Sequence, residues 1–170
     1  MRVEKALLSD INELMACYEL ARNRMINEGN LTQWDNKVVF EKEIEEYINR
    51  NLLYKVLSND EIVGCFAYIL TGDNAYSIIK GNWLNNSKYV TIHKIMSKYN
   101  NKGIGSFMID IVKNMAINDG IYNIKIDTHK NNISMNKFLI NKGFKLCGLI
   151  SLNLDFTDEY SIRNAYQFVI

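Results

Sequence analysis

Two closely spaced glycines stand between a predicted strand and a strongly periodic predicted helix, in the segment Asn100-Asn101-Lys102-Gly103-Ile104-Gly105-Ser106. The strand is predicted over residues 89–96 and the helix from about Gly103. The helix has apolar residues at helical spacing, namely Ile104, Phe107, Met108, Ile111, Val112 and Met115. Glycines let a ligand approach the backbone closely, and the first helical turn offers unpaired N–H groups at a positive dipole end. The segment therefore predicts an anion site suited to phosphate.

Three phosphate-binding patterns can be compared with this segment. A Walker A loop, Gly-x-x-x-x-Gly-Lys-Ser/Thr, occurs nowhere in the sequence. A dinucleotide fingerprint would need a third glycine where Met108 stands, and the segment lies past the midpoint of the chain rather than in a first βα unit. The third pattern, Gln/Arg-x-x-Gly-x-Gly/Ala, is the pyrophosphate loop of the GNAT N-acetyltransferases. Asn100-x-x-Gly103-x-Gly105 resembles it, with Asn100 in the place of Gln or Arg. Taken alone, so short a pattern also fits a simple glycine-containing loop before a helix.

The downstream sequence resembles the second half of the same family signature. Residues 121–128 alternate as a strand. Asn132 can cap the next helix, and Gly143, followed by Phe144, can end it because glycine tolerates a left-handed backbone. The resemblance covers residues 89–150, and two predicted helices before the sheet and a predicted carboxyl-terminal strand also fit the family.

The resemblance implies an α+β fold with a mixed, largely antiparallel central sheet of six to seven strands, helices on both faces and splayed central strands. It implies one GNAT-like domain over residues 1–170. It also implies an acetyl-CoA-dependent N-acetyltransferase that moves an acetyl group directly to a primary amine of a small molecule, peptide or protein. Two other hypotheses stay open: a CoA-binding module with little catalysis, and an unrelated nucleotide-binding α/β protein.

The family's cofactor contacts can be carried onto the matching positions. The pyrophosphate is expected to meet the backbone N–H groups of Asn101, Lys102, Gly103, Ile104, Gly105 and Ser106. The end of the preceding strand, at Ile95 and Met96, is expected to run beside the pantetheine amide and to offer an N–H to the thioester carbonyl. Asn132 is expected to reach the pantetheine arm.

Two features depart from the family pattern. Many members have a tyrosine seven residues after the helix-capping asparagine, and its phenol gives a proton to the leaving thiolate. Here that position is Leu139, which cannot donate, so either another group serves, or solvent protonates the thiolate, or transfer is slow. The loop between His93 and Gly103 is also about two residues shorter than the common form, which leaves the register of the thioester-facing residues within 93–99 open.

Three side chains outside the loop are further candidates. His93 could be the base for the acceptor amine, since imidazole titrates in the useful range, or a hydrogen-bonded strand histidine on the far face. His129 could touch the cofactor or the acceptor, or could be an ordinary loop residue. Trp34 could form part of the acceptor wall or could plug the core beneath its loop.

Composition limits the classes of partner. The chain has 170 residues, 48% of them hydrophobic, and a formal net charge of +1, which argues against nucleic acid or an acidic membrane as partner. No apolar span of membrane length and no signal peptide is recognisable, so a cytoplasmic location is expected. Cys17, Cys65 and Cys147 are predicted to be reduced and buried, and no metal-ligand spacing is present. A homodimer is compatible with the sequence, which does not name the acceptor.

Overall fold

Strands from both ends of the chain pair in one sheet in the computed structural model, which describes residues 1–70, 72–100 and 102–170. The strands are β1 Arg2–Lys5, β2 Leu53–Ser58, β3 Glu61–Ile69, β4 Lys80–Gly81, β5 Val90–Ser97, β6 Asn123–Thr128, β7 Lys145–Ser151 and β8 Ile162–Val169. The helices are α1 Ile11–Asn27, α2 Lys37–Asn49, α3 Ile104–Asn118 and α4 Ile133–Asn141, with 3₁₀ turns at Leu8–Asp10 and Asn74–Tyr76. None of the described helices is long and apolar enough to cross a membrane.

Among the described residues the sheet order is β1-β2-β3-β5-β6-β8-β7-β4, and only the central β5–β6 pair is parallel. The predicted α+β class with a mixed, largely antiparallel sheet is confirmed. The strand count is eight rather than six to seven because β4 lies in a segment predicted to be irregular. Its Gly81 pairs with Gly148 of β7, and a Cβ on either would lie 2.2 Å from a carbonyl oxygen of the partner strand. A strand formed by such close pairing of two glycines has no alternating hydrophobic pattern, so the sequence did not predict it.

Helices cover the two faces of the sheet, as the family resemblance implied. One core contains the buried face of α3 and Leu139 of α4, packed on residues such as Ile92 and Ile126 of the central strands. A separate core joins α1 and α2 to the other face over β2 and β3. The predicted helix ends of α4 are also confirmed. Asn132 Oδ1 accepts the N–H of Met135 at 3.2 Å, and Gly143 has φ 88°.

The two central strands separate soon after they pair. In β5 and β6 only Val90 with Ile124 and Thr91 with Lys125 are partners, and the strands diverge beyond them. Each strand keeps its outer antiparallel neighbour, so the divergence opens a gap in the middle of the sheet rather than at its edge. The splayed central strands are therefore confirmed.

A β-bulge in β5 lies beside this gap. His93 pairs with Ala67 and Met96 pairs with Cys65, so β5 carries one residue more than β3 over this stretch. Lys94 takes up the extra length with φ 50°. The bulge shifts the alternation of side chains, so Ile95 packs with the α3 and α4 core while Met96 is buried against α1. The side chains of Ile95 and Met96 therefore face opposite layers of the fold.

The segment between β3 and β5 covers the face of β6 that points away from α3. Lys125 of β6 is buried there, and its Nζ lies 3.8 Å from the ring centres of Trp83 and Tyr89. Burial lowers the pKa of Lys125 to about 8. The two aromatic faces oppose that shift because they attract the ammonium.

The buried lysine predicts a pH-dependent stability. The unfolded chain holds the Lys125 proton up to about pH 10.4, whereas the folded chain releases it near pH 8. The unfolded state therefore binds more protons between these values, and the free energy of unfolding rises with pH across that window. Relative to Lys125→Met, wild type should gain about 1–2 kcal/mol between pH 7.5 and pH 10 in urea unfolding, with the rings limiting the gain. Parallel pH curves for the two proteins would contradict the burial of a charged ammonium.

Candidate active site

The gap between β5 and β6 continues into a cleft of about 480 Å³. One wall comes from the α1–α2 connection and from α2, and the opposite wall from the segment after β3, from β6 and from the start of α4. The lining residues are Thr32, Gln33, Trp34, Asp35, Asn36, Val39, Phe40, Glu43, Tyr47, Asp73, Ile92, His93, Lys94, Ile95, Ile126, Asp127, Thr128, Asn132, Met135, Leu152 and Arg163. The cleft thus brings polar groups from five separate parts of the chain to the place where the sheet opens.

Beyond the cleft, β5 leads to the glycine segment at the start of α3. Gly103 is the N-cap of α3, has φ 73°, and would place a Cβ in open space among the described residues. The first helical hydrogen bond runs from Phe107 N–H to Gly103 C=O at 2.9 Å. The N–H groups of the preceding turn therefore have no partner within the helix. An exposed left-handed glycine ahead of free N–H groups is a surface that an anion can reach closely.

The predicted loop residues do not all share this environment. Lys102 and Gly103 are exposed, Gly105 and Ser106 are partly exposed, and the Ile104 side chain is buried in the core, which leaves only its backbone to face a ligand. Asn101 lies outside the described residues.

Gly105 is small for a different reason from Gly103. A Cβ on Gly105 would lie 3.1 Å from the ring of Phe138 on α4. The residue therefore permits α3 and α4 to pack closely, and a side chain there would first disturb the helix contact.

The last turns of α1 contact both sides of the gap. Arg24 donates to the backbone oxygen of Ser97, where β5 ends, and to that of Lys98 at 3.0 Å. One turn later, the carboxylate of Glu28 accepts hydrogen bonds from the N–H and hydroxyl of Ser134 in the first turn of α4. The helix therefore ties the end of β5 to the start of α4.

Asn132 is held in the same region. Its Nδ2 donates to Gln33 Oε1 at 3.2 Å and lies 3.4 Å from the sulfur of Met25, while its Oδ1 caps α4. The residue lines the cleft, as its predicted contact with a pantetheine arm requires, but its amide is already engaged. A ligand that uses Asn132 would have to exchange with Gln33.

His93 has a polar neighbour at each of its two ring nitrogens. Its Nδ1 lies 2.8 Å from the hydroxyl of Tyr47, and its Nε2 lies 3.3 Å from Asp73 Oδ2, without the alignment of a hydrogen bond. Burial, followed by the charges of Glu43 and Asp73, raises the pKa of Tyr47 well above its usual range, so the phenol keeps its proton. We assign the proton of the neutral imidazole to Nε2, facing the Asp73 carboxylate, which leaves Nδ1 to accept from Tyr47.

Of the other candidate side chains, Trp34 lines the cleft and His129 does not. Trp34 also packs on Phe40 with ring centres 4.9 Å apart. Its place in an acceptor wall stays a prediction. His129 is buried outside the cleft lining and accepts the N–H of Asn131 at 3.2 Å. Burial, together with the nearby Arg163, lowers its pKa. Leu139 is fully buried beneath α4.

The sequence analysis did not identify three cleft residues as candidates, namely Tyr47, Asp73 and Thr128. Tyr47 has the spacing of an inward-facing helix residue, which gave no sign that its hydroxyl meets His93. Asp73 lies in a segment predicted only to be irregular, where an aspartate is expected in any turn. Thr128 ends a strand whose alternating pattern explained it as a structural residue. Tyr47 and Asp73 contact His93, which is distant in sequence, and the Thr128 hydroxyl has no partner, so spacing alone carries no signal.

Comparison with known proteins agrees with this geometry. The sequence model of the Acetyltransferase (GNAT) family matches residues 12–144. A GNAT-family acetyltransferase structure from Streptococcus agalactiae is 22% identical, with a TM-score of 0.81 over 99% of this chain and 95% of that one. The PaiA N-acetyltransferase of Thermoplasma acidophilum in complex with coenzyme A is 13% identical, with a TM-score of 0.69 and coverage of 98% of each chain. Ribosomal-protein-alanine N-acetyltransferase from Brucella melitensis is 15% identical, with a TM-score of 0.66 and coverage of 100% of each chain. Because the family model spans most of the sequence, this chain belongs to the GNAT family of acetyltransferases.

Proposed function

We propose that this protein, as one domain over residues 1–170, transfers an acetyl group from acetyl-CoA directly to a primary amine of a small molecule, peptide or protein. The observation that carries the proposal is the cleft at the separation of β5 and β6, which is lined by the half-buried His93. The same strand β5 leads to the open Gly103. The complex of a structurally similar protein with coenzyme A supports the choice of acyl donor.

The residues of the β5–α3 connection fit a CoA diphosphate. The free N–H groups from Gly103 to Ser106 provide donors at the positive end of a helix of 15 residues, and Lys102 adds a nearby positive charge. The bulge at Lys94 and Ile95 interrupts the ladder beside the cleft, where backbone donors become available to a thioester carbonyl. A preorganised donor of that kind is commonly worth about 3 kcal/mol of barrier.

The Tyr47 hydroxyl and the Asp73 carboxylate, on either side of His93, provide a route for the amine proton. An ammonium substrate has to lose a proton before it can attack. The Tyr47 hydroxyl can accept that proton as it passes its own to His93 Nδ1, and the resulting imidazolium then faces the Asp73 carboxylate. Asp73 therefore favours the charged histidine that the transfer creates.

A second candidate function is favoured by Leu139. Its burial in the α3 and α4 core means that it offers no donor to the leaving sulfur. A CoA-binding protein with little turnover would fit that observation. Retained acetyl-CoA binding without turnover on any amine would favour this second function over the first.

Acetyl-CoA should stabilise the folded protein, because a ligand that binds only the native state raises the free energy of unfolding. At about 100 times the dissociation constant the gain is about 2.7 kcal/mol, which thermal melts resolve. NAD and ATP at equal concentration serve as controls and should give much smaller shifts. Equal shifts with all three, or none at millimolar acetyl-CoA, would contradict the proposal.

Gly103→Ala should weaken CoA binding by about tenfold or more, since the added methyl enters the space through which an anion approaches the N–H groups. Gly120→Ala is the matched control, because Gly120 ends the same helix with φ 69° and also has open space at its Cβ position. Both variants should lose about 1–2 kcal/mol of stability from left-handed strain. Isothermal titration that finds equal CoA affinity for the two variants would place the anion site elsewhere.

His93→Ala should lower kcat/KM for the amine by about 100-fold or more and remove the fall in activity at low pH, while the acetyl-CoA-induced melting shift persists. Asp73→Asn should produce a smaller loss in the same direction, because it removes only the charge that faces the imidazolium. His129→Ala tests the chain's other histidine, and we expect it to change kcat/KM by no more than about threefold. A pH–rate profile of His93→Ala that matches wild type would show that solvent takes the proton.

A further inference from the structure

Two threonine hydroxyls are buried without a hydrogen-bond partner in the described part of the chain, those of Thr91 and Thr128. Thr91 is 0% exposed and Thr128 is 1% exposed. They lie on β5 and β6, the two central parallel strands. A buried hydroxyl with no partner costs folding free energy, so its presence in a native fold calls for a reason, and a missing ligand is one such reason.

Of these two threonines, Thr128 is the one that lines the cleft. Thr128 is the last residue of β6, where the strand has already left β5, and it lines the cleft beside Ile126. Thr91 lies where the two strands are still paired, opposite Lys125, and does not line the cleft. The two threonines therefore share burial and an unpaired hydroxyl, and they differ in access to a ligand.

Strand alternation places Thr128 and His93 on opposite sides of the gap. Ile124 and Ile126 of β6 pack in the core beneath α3 and α4, so Thr128 belongs to that face. His93 instead contacts Tyr47 of α2, on the other face. A thioester held in the gap would thus have a base on one side and an unused hydroxyl donor on the other.

The leaving sulfur lacks a donor at the position where the family usually provides one. Leu139 has no polar atom in its side chain and is fully buried. Among the buried side chains that line the cleft, Thr128 has a hydroxyl with no partner of its own. A hydrogen bond from a neutral hydroxyl to an anionic sulfur is charge-assisted and stronger than one between neutral groups.

We propose that the Thr128 hydroxyl donates a hydrogen bond to the thioester sulfur of acetyl-CoA and to the thiolate that leaves, in place of the usual phenol. This inference rests on the acetyl transfer proposed above. It assigns Thr128 as a catalytic residue and explains why the fold tolerates its unpaired hydroxyl.

The step balances without a further reactant. The amine nitrogen forms a bond to the carbonyl carbon, the C–S bond breaks, and its electron pair stays on sulfur. One proton leaves the ammonium through Tyr47 to His93 and then to solvent before the attack, and a second proton leaves the nitrogen by the same route as the amide forms. Thr128 keeps its own proton, because an aliphatic hydroxyl is too weak an acid to release it, and it lowers the energy of the thiolate by hydrogen bonding alone.

The test compares Thr128→Val and Thr128→Ser with Thr91→Val. Valine replaces the hydroxyl by a methyl of similar size, and serine keeps the hydroxyl. The first readout is the pKa of the thiol of bound CoA, and it does not depend on turnover. It is measured by following the ultraviolet absorption of the bound thiolate as the pH is changed. We expect Thr128→Val to raise the pKa of the bound thiol by about one to two units relative to wild type. The second readout is kcat with acetyl-CoA, which should fall about 10- to 100-fold.

The remaining variants complete the comparison. Thr128→Ser should stay close to wild type in both readouts, and Thr91→Val should match wild type. Both valine variants should melt at or above the wild-type temperature, because each loses an unpaired buried hydroxyl. Wild-type thiol pKa and kcat in a folded Thr128→Val protein would overturn this inference alone. Failure of wild type to bind CoA would overturn the proposed function, and this inference with it.

Discussion

The hydrogen bonding between β5 and β6 stops after two residue pairs, and the candidate site depends on that interruption. Parallel strands that continued in register would pair their backbones through the middle of the sheet and leave no room for a ligand. Both strands remain fixed by antiparallel partners, β5 by β3 and β6 by β8, so the gap is bordered by rigid backbone on each side. The sheet can therefore hold reacting groups at a fixed separation, which is what catalysis by positioning requires.

Contacts from the surrounding helices hold the two sides of this gap in place. The bulge at Lys94 turns β5 away from its neighbour, and the Nζ of Lys94 binds Glu43 Oε2 of α2 at 2.5 Å. Gly64 accommodates the turn, since a Cβ there would lie 2.6 Å from the carbonyl oxygen of Met96. At the far end, Arg24 of α1 holds the end of β5, and Glu28, the residue directly after α1, holds the start of α4. One helix thus sets the distance between the anion-binding segment and the helix that follows β6.

Much of this architecture could be predicted from the sequence because it has short-range causes. The apolar spacing after Gly103 indicated α3, and Asn132 and Gly143 marked the two ends of α4. The eighth strand was missed because two glycines, rather than an alternating pattern, create it. The side-chain contacts of the cleft were missed for a related reason. Tyr47 meets His93 only because α2 and β5 pack together, and no local pattern records that contact.

The two buried threonines show how far local rules can mislead about function. A polar residue in a buried strand position is normally read as a satisfied core residue, and both positions fit a strand equally well. The distinction comes from where β5 and β6 part: Thr91 lies before the separation and Thr128 beyond it. The same backbone divergence that opens the cleft places Thr128 in its lining and leaves Thr91 where the strands are still paired. Stability and reactivity are set against each other at a single residue, because the hydroxyl that destabilises the free protein is the one that the bound thioester would use.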